Sequence, residues 1–529
     1  MNNNARIKKN NSRTTNTLLN FTSSLGGQLL TILMHFITRT VFIATLGKAY
    51  LGINGLFSNI LMVLSLAEFG VGSAILFKLY EPLAKEDHHR IAVLMKFYKL
   101  AYRVIGIAVT IVGLCLIPFL PMLINDYDKL TALGINAAFI FALYLLRTVS
   151  SYLFFAYKSA IIQADQKEYL INLISYIFTI GASVLQIICM YAFHDYIIYV
   201  AILIGQVIAQ NIAVAVLSNK MYPYINEPTD DKMDRQEVAE IFKDCGALFL
   251  YKLNNVVLKA TDNIVISKFI GIEAVAVYSN YYILYTTINT LFAKIYNAVS
   301  HSLGNLHTGS DREHEYKIFE AVMLITAILG GTAFIGVFIC ADELVDAWIG
   351  KEWLIAQPFA MLMGLELYTL SFRVALSKYR TTMGLFQQAK YRPVAGMIIN
   401  LIVSIALVRN WGISGVLVGT IVADWTTMMW FDPIIIHKYG FGNVMPVARY
   451  FKKFLKYFFT VCAVGAADYM LCTHFMTGHG WLSVLVHAVI SGITVPCVLV
   501  ALNIGSAEGQ YVYKLGMGYV RKFRKKLRK

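Results

Sequence analysis

Polar and charged side chains recur at helical spacing inside apolar stretches of this chain. Ser24, Gln28, Thr31, His35 and Arg39 follow one another at intervals of four, three, four and four. Lys252, Asn255, Lys259 and Asp262 follow at three, four and three. Residues so spaced share one helix face. Asn54, Ser58, Ser65 and Glu68 make a third polar face, and Tyr144, Arg147 and Ser151 a fourth. Tyr278, Tyr282, Tyr285 and Asn289 make an aromatic and amide stripe. Arginine grips phosphate in bidentate fashion, and lysine binds it as a point charge. Tyrosine and asparagine faces suit sugar rings. The chemistry these stripes offer is recognition of an anionic, hydroxylated ligand, with Arg39, His35, Arg147, Lys252, Asn255, Lys259, Asp262, Glu68, Tyr282, Tyr285 and Asn289 as the candidate binding residues.

Each residue alone also fits a structural role. Arg39 can snorkel to an interface, Asp262 can pair with Lys259 or Arg39, and His35 can be a satisfied packing histidine. Glu68, Glu366 and Asp424 can bind helices to one another, and the tyrosines can simply pack. A charge near the bilayer centre costs about 2.5–3.5 kcal/mol even on the lenient insertion scale. Recurrence on several helices therefore favours a shared hydrated cavity.

The elements that carry these faces are membrane helices. Of 529 residues, 57% are hydrophobic and 15% charged, and mean hydropathy is +0.59. Soluble domains are about 25% charged. In lipid only helices and closed barrels satisfy their own backbone, and the apolar blocks have helix length rather than strand alternation. A span needs about 20 residues. Helices are expected near 17–45, 52–79, 97–125, 132–157, 169–192, 196–219, 240–269, 273–299, 318–340, 355–385, 392–408, 413–437, 450–473 and 481–503. That gives an all-α integral membrane protein of about fourteen transmembrane helices.

The net charge of +15 lies in short connections and tails. Most of the 46 Lys and Arg fall on one side of the alternating helices, including 78–103, 220–243, 373–392, 438–456 and the C-terminal RKFRKKLRK. Lys48, Lys129, Lys268, Lys351 and Arg409 fall on the other. The positive-inside rule then places both ends in the cytoplasm, and the charge needs no nucleic acid. The seven cysteines sit in or near apolar blocks without CxxC spacing, which implies neither a metal site nor a disulfide framework. No phosphate loop, HExxH or triad spacing occurs, so the chain is expected to be a transporter without a catalytic residue, metal or cofactor.

The order of helices repeats. Tyr157-Lys158 followed by Gln166 is matched at one offset by Tyr379-Arg380 followed by Gln388, and Leu46-Gly47 corresponds to Ile270-Gly271. Between the halves lies an acidic stretch with Pro223, Pro228, Glu227, Asp230, Asp231, Asp234 and Glu237. The expected organisation is a basic tail 1–16, a six-helix lobe 17–221, a linker 222–239, a six-helix lobe 240–440, two further helices in 441–503 and a basic tail 504–529. Parallel repeats of this kind carry the substrate site at their interface.

The segments Ile37-Thr38-Arg39-Thr40-Val41-Phe42, Tyr50-Leu51-Gly52-Ile53-Asn54-Gly55-Leu56-Phe57, Leu64-Ser65-Leu66-Ala67-Glu68-Phe69-Gly70, Leu79-Tyr80-Glu81-Pro82-Leu83, Thr261-Asp262-Asn263-Ile264-Val265-Ile266 and Tyr278-Ser279-Asn280-Tyr281-Tyr282 resemble the Wzx-type polysaccharide flippases of the MOP superfamily. That group includes MATE antiporters and the lipid II flippase MurJ. The resemblance implies a two-lobed bundle in a bacterial plasma membrane, moving an undecaprenyl-pyrophosphate-linked oligosaccharide for capsule, O-antigen or exopolysaccharide synthesis. It implies that Arg39, Arg147 and Lys252 or Lys259 hold the pyrophosphate. Implied partners are the lipid-linked oligosaccharide, membrane lipids, a polysaccharide polymerase and glycosyltransferases. A cation-coupled drug antiporter, a lipid II flippase and a membrane glycan polymerase are the alternatives.

Overall fold

In the computed structural model the described residues are 3–68, 71–125, 127–132, 134–227, 229, 231, 233–239, 260–309, 312–385, 387–389, 391–475, 480–514 and 517. They are almost entirely helical, with no strand among them. The chain divides into two compact units, Met1–Ala276 and Val277–Lys529.

The first unit contains α1 (Asn3–Leu64), α2 (Val71–Lys85), α3 (His88–Leu116), α4 (Ala137–Leu153), α5 (Glu168–Phe193) and α6 (Tyr196–Met221). α7 (Ile272–Gly309) runs across the division. The second unit continues with α8 (Arg312–Ile349), α9 (Phe359–Thr382), α10 (Arg392–Ile435), α11 (Val447–Phe475) and α12 (Trp481–Asn503). α1 packs against α5, α3 against α4, and α4 against α6. In the second unit α8 lies against α9, α11 and α12.

Nine helices among the described residues are long and apolar enough to cross a membrane, and a tenth is the bent pair Ala137–Leu153 with Ala156–Ala164. Fourteen separate spans are not counted, for physical reasons. The expected first helix and the start of the second both lie in α1, where Gly47 at φ 80° and ψ −175° separates two helices, and the rest of the expected 52–79 continues as α2. At about 1.5 Å rise per residue, the 35-residue apolar stretch Leu30–Leu64 reaches roughly 50 Å. That exceeds a hydrocarbon core of about 30 Å, so the break at Gly47 separates two shorter segments. The expected eleventh and twelfth helices meet in α10 at Gly412, whose φ 56° and ψ −137° separate two helices. Most of the seventh, 240–269, lies outside the described residues.

Apolar surface is turned outward, as lipid exposure requires. On α3, Leu100, Ile107, Ile111 and Leu114 are exposed while Tyr102, Ile105 and Val109 on the other side are buried. Helix starts are capped as their sequences dictate. Asp87 accepts from the Arg90 amide, Asn136 from Phe139, and Asp195 from Ile197 and Ile198. The acidic stretch after α6 is held against the basic start of α3. Arg90 bonds the Glu237 carboxylate, His89 meets Asp231 at 2.7 Å, and His88 stacks on Tyr224 at 4.0 Å.

Candidate functional site

α1 has two kinds of face. Leu30, Leu33 and Ile37 are exposed on one side. His35 is also exposed and Arg39 half-buried, but they lie round the helix from Leu33 and Ile37. The Asp195 cap fixes the first turn of α6 and thereby Tyr196 and Tyr199. Tyr199 lies within the electrostatic reach of both Arg39 and Arg147. Arg147 acts on Tyr144 as well, and the Tyr144 and Tyr196 hydroxyls are 3.0 Å apart. Phe42 packs edge-on to Tyr199 at 4.9 Å, and Tyr50 stacks on Tyr196 at 4.5 Å. Arg39 of α1 and Arg147 of α4, far apart in sequence, thus converge on an aromatic cluster built by α6.

Beside Arg147 opens a cleft of about 240 Å³, lined by Ser58, Leu61 and Met62 of α1, by Ser65 just beyond it, by Tyr144, Thr148 and Ser151 of α4, and by Val207 of α6. The positive charge and the hydroxyls face one space. An anion with attached hydroxyls meets both kinds of partner there. A cation meets the arginine's repulsion.

The other sequence-selected residues are placed differently. Glu68 accepts from the Tyr102 hydroxyl, so it belongs to a tyrosine cluster at the Ser65 end of the cleft. Asp262 is buried. Lys252, Asn255 and Lys259 lie outside the described residues.

In the second unit the tyrosine stripe of α7 forms a stack. Tyr278 and Tyr282 are 5.6 Å apart, and Tyr282 and Tyr285 are 5.7 Å apart. Asn289, one turn on, is half-buried. Tyr285 donates to Glu366 at 3.2 Å and accepts from Arg373 at 3.3 Å. Arg373 also bonds Asp424 at 2.7 Å. Glu366 and Asp424 therefore do bind helices together, through an arginine that sequence reading assigned to a cytoplasmic segment.

Within 373–392, three arginines meet carboxylates inside the second unit. Arg373 lies inside α9, and Arg380 and Arg392 are buried around Asp432, Arg380 at 3.5 Å. A buried charge is retained where a counter-charge meets it, so these arginines serve packing as well as any topology rule. The signal was present in the seven-residue spacing of Glu366, Arg373 and Arg380, two turns apart on one helix face. Tyr196 and Tyr199 were also missed. Only their neighbours from α1 and α4 distinguish them from other tyrosines.

The fold has known counterparts. The "Lipid II flippase MurJ, inward closed conformation" aligns with 92% of this chain and 99% of its own, at TM-score 0.65 and 14% identity. The "Inward-facing conformation of a multidrug resistance MATE family transporter of the MOP superfamily" covers 79% and 96%, at TM-score 0.55 and 14% identity. Its outward-facing counterpart covers 82% and 97%, at TM-score 0.53 and 14% identity. At such identity the likeness is one of fold. Among curated proteins none matches the sequence. A family model described as "Polysaccharide biosynthesis protein" matches residues 52–358, more than half of the chain. The chain belongs to the family that this model describes, the polysaccharide biosynthesis proteins, and it folds as the MurJ and MATE structures do.

Proposed function

We propose that this protein carries undecaprenyl-pyrophosphate-linked oligosaccharide repeat units across a bacterial plasma membrane, from the cytoplasmic to the outer leaflet, for surface polysaccharide synthesis. Both termini are cytoplasmic in this reading. Residues 17–221 and 240–440 act as the two lobes, with 441–503 as added helices. The carrying observation is that Arg39 and Arg147 both act electrostatically on Tyr199, and that Arg147 lines a cleft bearing several hydroxyls. Two guanidinium groups suit a pyrophosphate, and the hydroxyls suit the sugar beside it. The same charge disfavours a cationic drug.

The driving force need not be chemical. An anionic headgroup leaving a negative interior gains roughly 2.3 kcal/mol per charge per 100 mV. Arg39 and Arg147 neutralise that charge while it crosses.

Cells that depend on this protein for polymer export test the reading. Arg39→Ala and Arg147→Ala should each reduce surface polymer strongly and accumulate lipid-linked repeat units inside, with normal protein in the membrane. Normal export by both variants would refute the proposed pyrophosphate site.

A further inference from the structure

The exposed side of α3 is charged near its start and apolar along the rest. Lys96, Leu100, Arg103, Ile107, Ile111 and Leu114 follow at intervals of four, three, four, four and three, and all are exposed. That spacing makes them one stripe along the helix. Lys99, at its edge, is exposed too. Tyr98, Tyr102, Ile105 and Val109, on the far side, are buried. At about 1.5 Å per residue, Leu100 to Ile111 rises roughly 16 Å, about half of a ~30 Å hydrocarbon core. The apolar part of the stripe therefore runs the depth of one leaflet, and the lysines begin where its headgroups lie. Arg103 reaches the same layer by its long stem.

The acidic linker stops short of these cations. Asp231 takes His89 at 2.7 Å, and Glu237 takes Arg90. Lys96 donates to the Thr229 carbonyl, a neutral acceptor. Beside them Lys158 is buried, at 5% exposure. Its acceptors are the neutral side-chain oxygens of Asn219 and Asn226, and it lies over the rings of Phe155 and Tyr157. Lys99 acts on Lys158 as a like charge, and Arg103 acts on Tyr157 next to it. A buried cation with neutral partners and a second cation nearby calls for an anion.

We propose that Lys96, Lys99 and Arg103 form a binding site for an anionic phospholipid. Its phosphate meets the three cations, and an acyl chain lies along Leu100, Ile107 and Ile111. A soluble phosphate gains the charge but none of the apolar stripe. Phosphatidylethanolamine brings an ammonium of its own into the cluster, whereas phosphatidylglycerol brings a neutral headgroup beyond its phosphate. The site uses none of the residues of the cleft beside Arg147, and it holds whatever cargo the protein carries.

Titration of the purified full-length protein in detergent micelles, read by native mass spectrometry, tests this. The probes are phosphatidylglycerol, phosphatidylethanolamine and undecaprenyl pyrophosphate. Phosphatidylglycerol should bind the parent more tightly than phosphatidylethanolamine, and its advantage should shrink as salt rises. A cation near the headgroups contributes about fivefold. Lys99→Gln should therefore weaken phosphatidylglycerol about fivefold, and Lys96→Gln, Lys99→Gln and Arg103→Gln together about a hundredfold. The same change at Lys129, Lys351 and Arg409, which are exposed elsewhere, should leave binding as in the parent. The single variant decides the matter should the triple one fail to fold. Equal binding of the two phospholipids, or an advantage that every variant keeps, overturns the site. So does undecaprenyl pyrophosphate that the triple variant loses and phosphatidylglycerol does not displace, since the face would then serve the carried lipid. None of these results bears on Arg39 and Arg147, so the flippase reading stands or falls separately.

Discussion

Arg373 of α9 donates to Asp424 of α10 at 2.7 Å, and its other amino group reaches the Tyr285 hydroxyl of α7 at 3.3 Å. One guanidinium therefore joins three helices of the second unit. Breaking a buried ion pair by removing one partner costs about 3–5 kcal/mol, because the other charge is left uncompensated. Arg373→Ala strands Glu366 and Asp424 together, whereas Asp424→Asn leaves Arg373 with Glu366 and Tyr285. Thermal unfolding of the purified protein should show a larger loss for Arg373→Ala than for Asp424→Asn. Equal melting temperatures would show that the pair contributes nothing beyond its packing.

Tyr199 is the meeting point of Arg39 and Arg147 in the first unit. Tyr199→Phe keeps the ring contact with Phe42 but removes the hydroxyl on which both cations act electrostatically. Export should fall several-fold while the melting temperature changes by little, since one neutral hydrogen bond is worth about 1 kcal/mol. A variant that exports at the parent rate would assign the hydroxyl no part in setting the arginines.

Two glycines of α1 are required for different reasons, and substitution separates them. Gly47 has open space around it but sits at φ 80° and ψ −175°, a region nearly confined to glycine. A Cβ on Gly52 would come within 2.0 Å of the Ile272 carbonyl oxygen, a backbone atom. Gly47→Ala and Gly47→Ser should destabilise alike, by about 1–3 kcal/mol of backbone strain. Gly52→Ser should be clearly worse than Gly52→Ala, because there bulk is what matters. Melting temperatures of the four variants decide it.

The segment following α12 is tied down by Glu508, which lies outside the membrane helices. Burial pushes its carboxyl up. The Lys453 ammonium at 2.6 Å, the backbone amide and Ser506 outweigh that and hold it below its ordinary value of 4.5. A group depressed in the folded state stabilises fully above its unfolded value, and that contribution is lost as pH falls through the folded one. Proteolysis beyond Asn503 should therefore be slow at pH 7 and accelerate below about pH 4.5. Glu508→Gln should show the fast rate at both pH values. Cleavage that is equally slow at pH 7 and pH 4 in the parent would contradict the assignment.

Much of the architecture was legible from the apolar blocks, because lipid allows the backbone few alternatives to helix. The polar faces were legible too. Arg39 and His35 recur at helical spacing, and the Tyr278, Tyr282 and Tyr285 stripe stacks as its spacing implied. Helix ends were less legible. Gly47 and Gly412 each separate two expected helices with one residue of non-helical backbone, while the expected helix 52–79 is broken between α1 and α2.

The sequence by itself determined that this is a helical membrane protein with cations on polar helix faces, since hydropathy and spacing are local properties. Only the tertiary structure decided which charges meet. It set Arg147 beside Tyr199 and the cleft, and it turned Arg373 inward to Asp424 rather than leaving it to a cytoplasmic cluster. The reason is that a charge in a low-dielectric interior takes its role from the partner that compensates it, and that partner is brought by another helix.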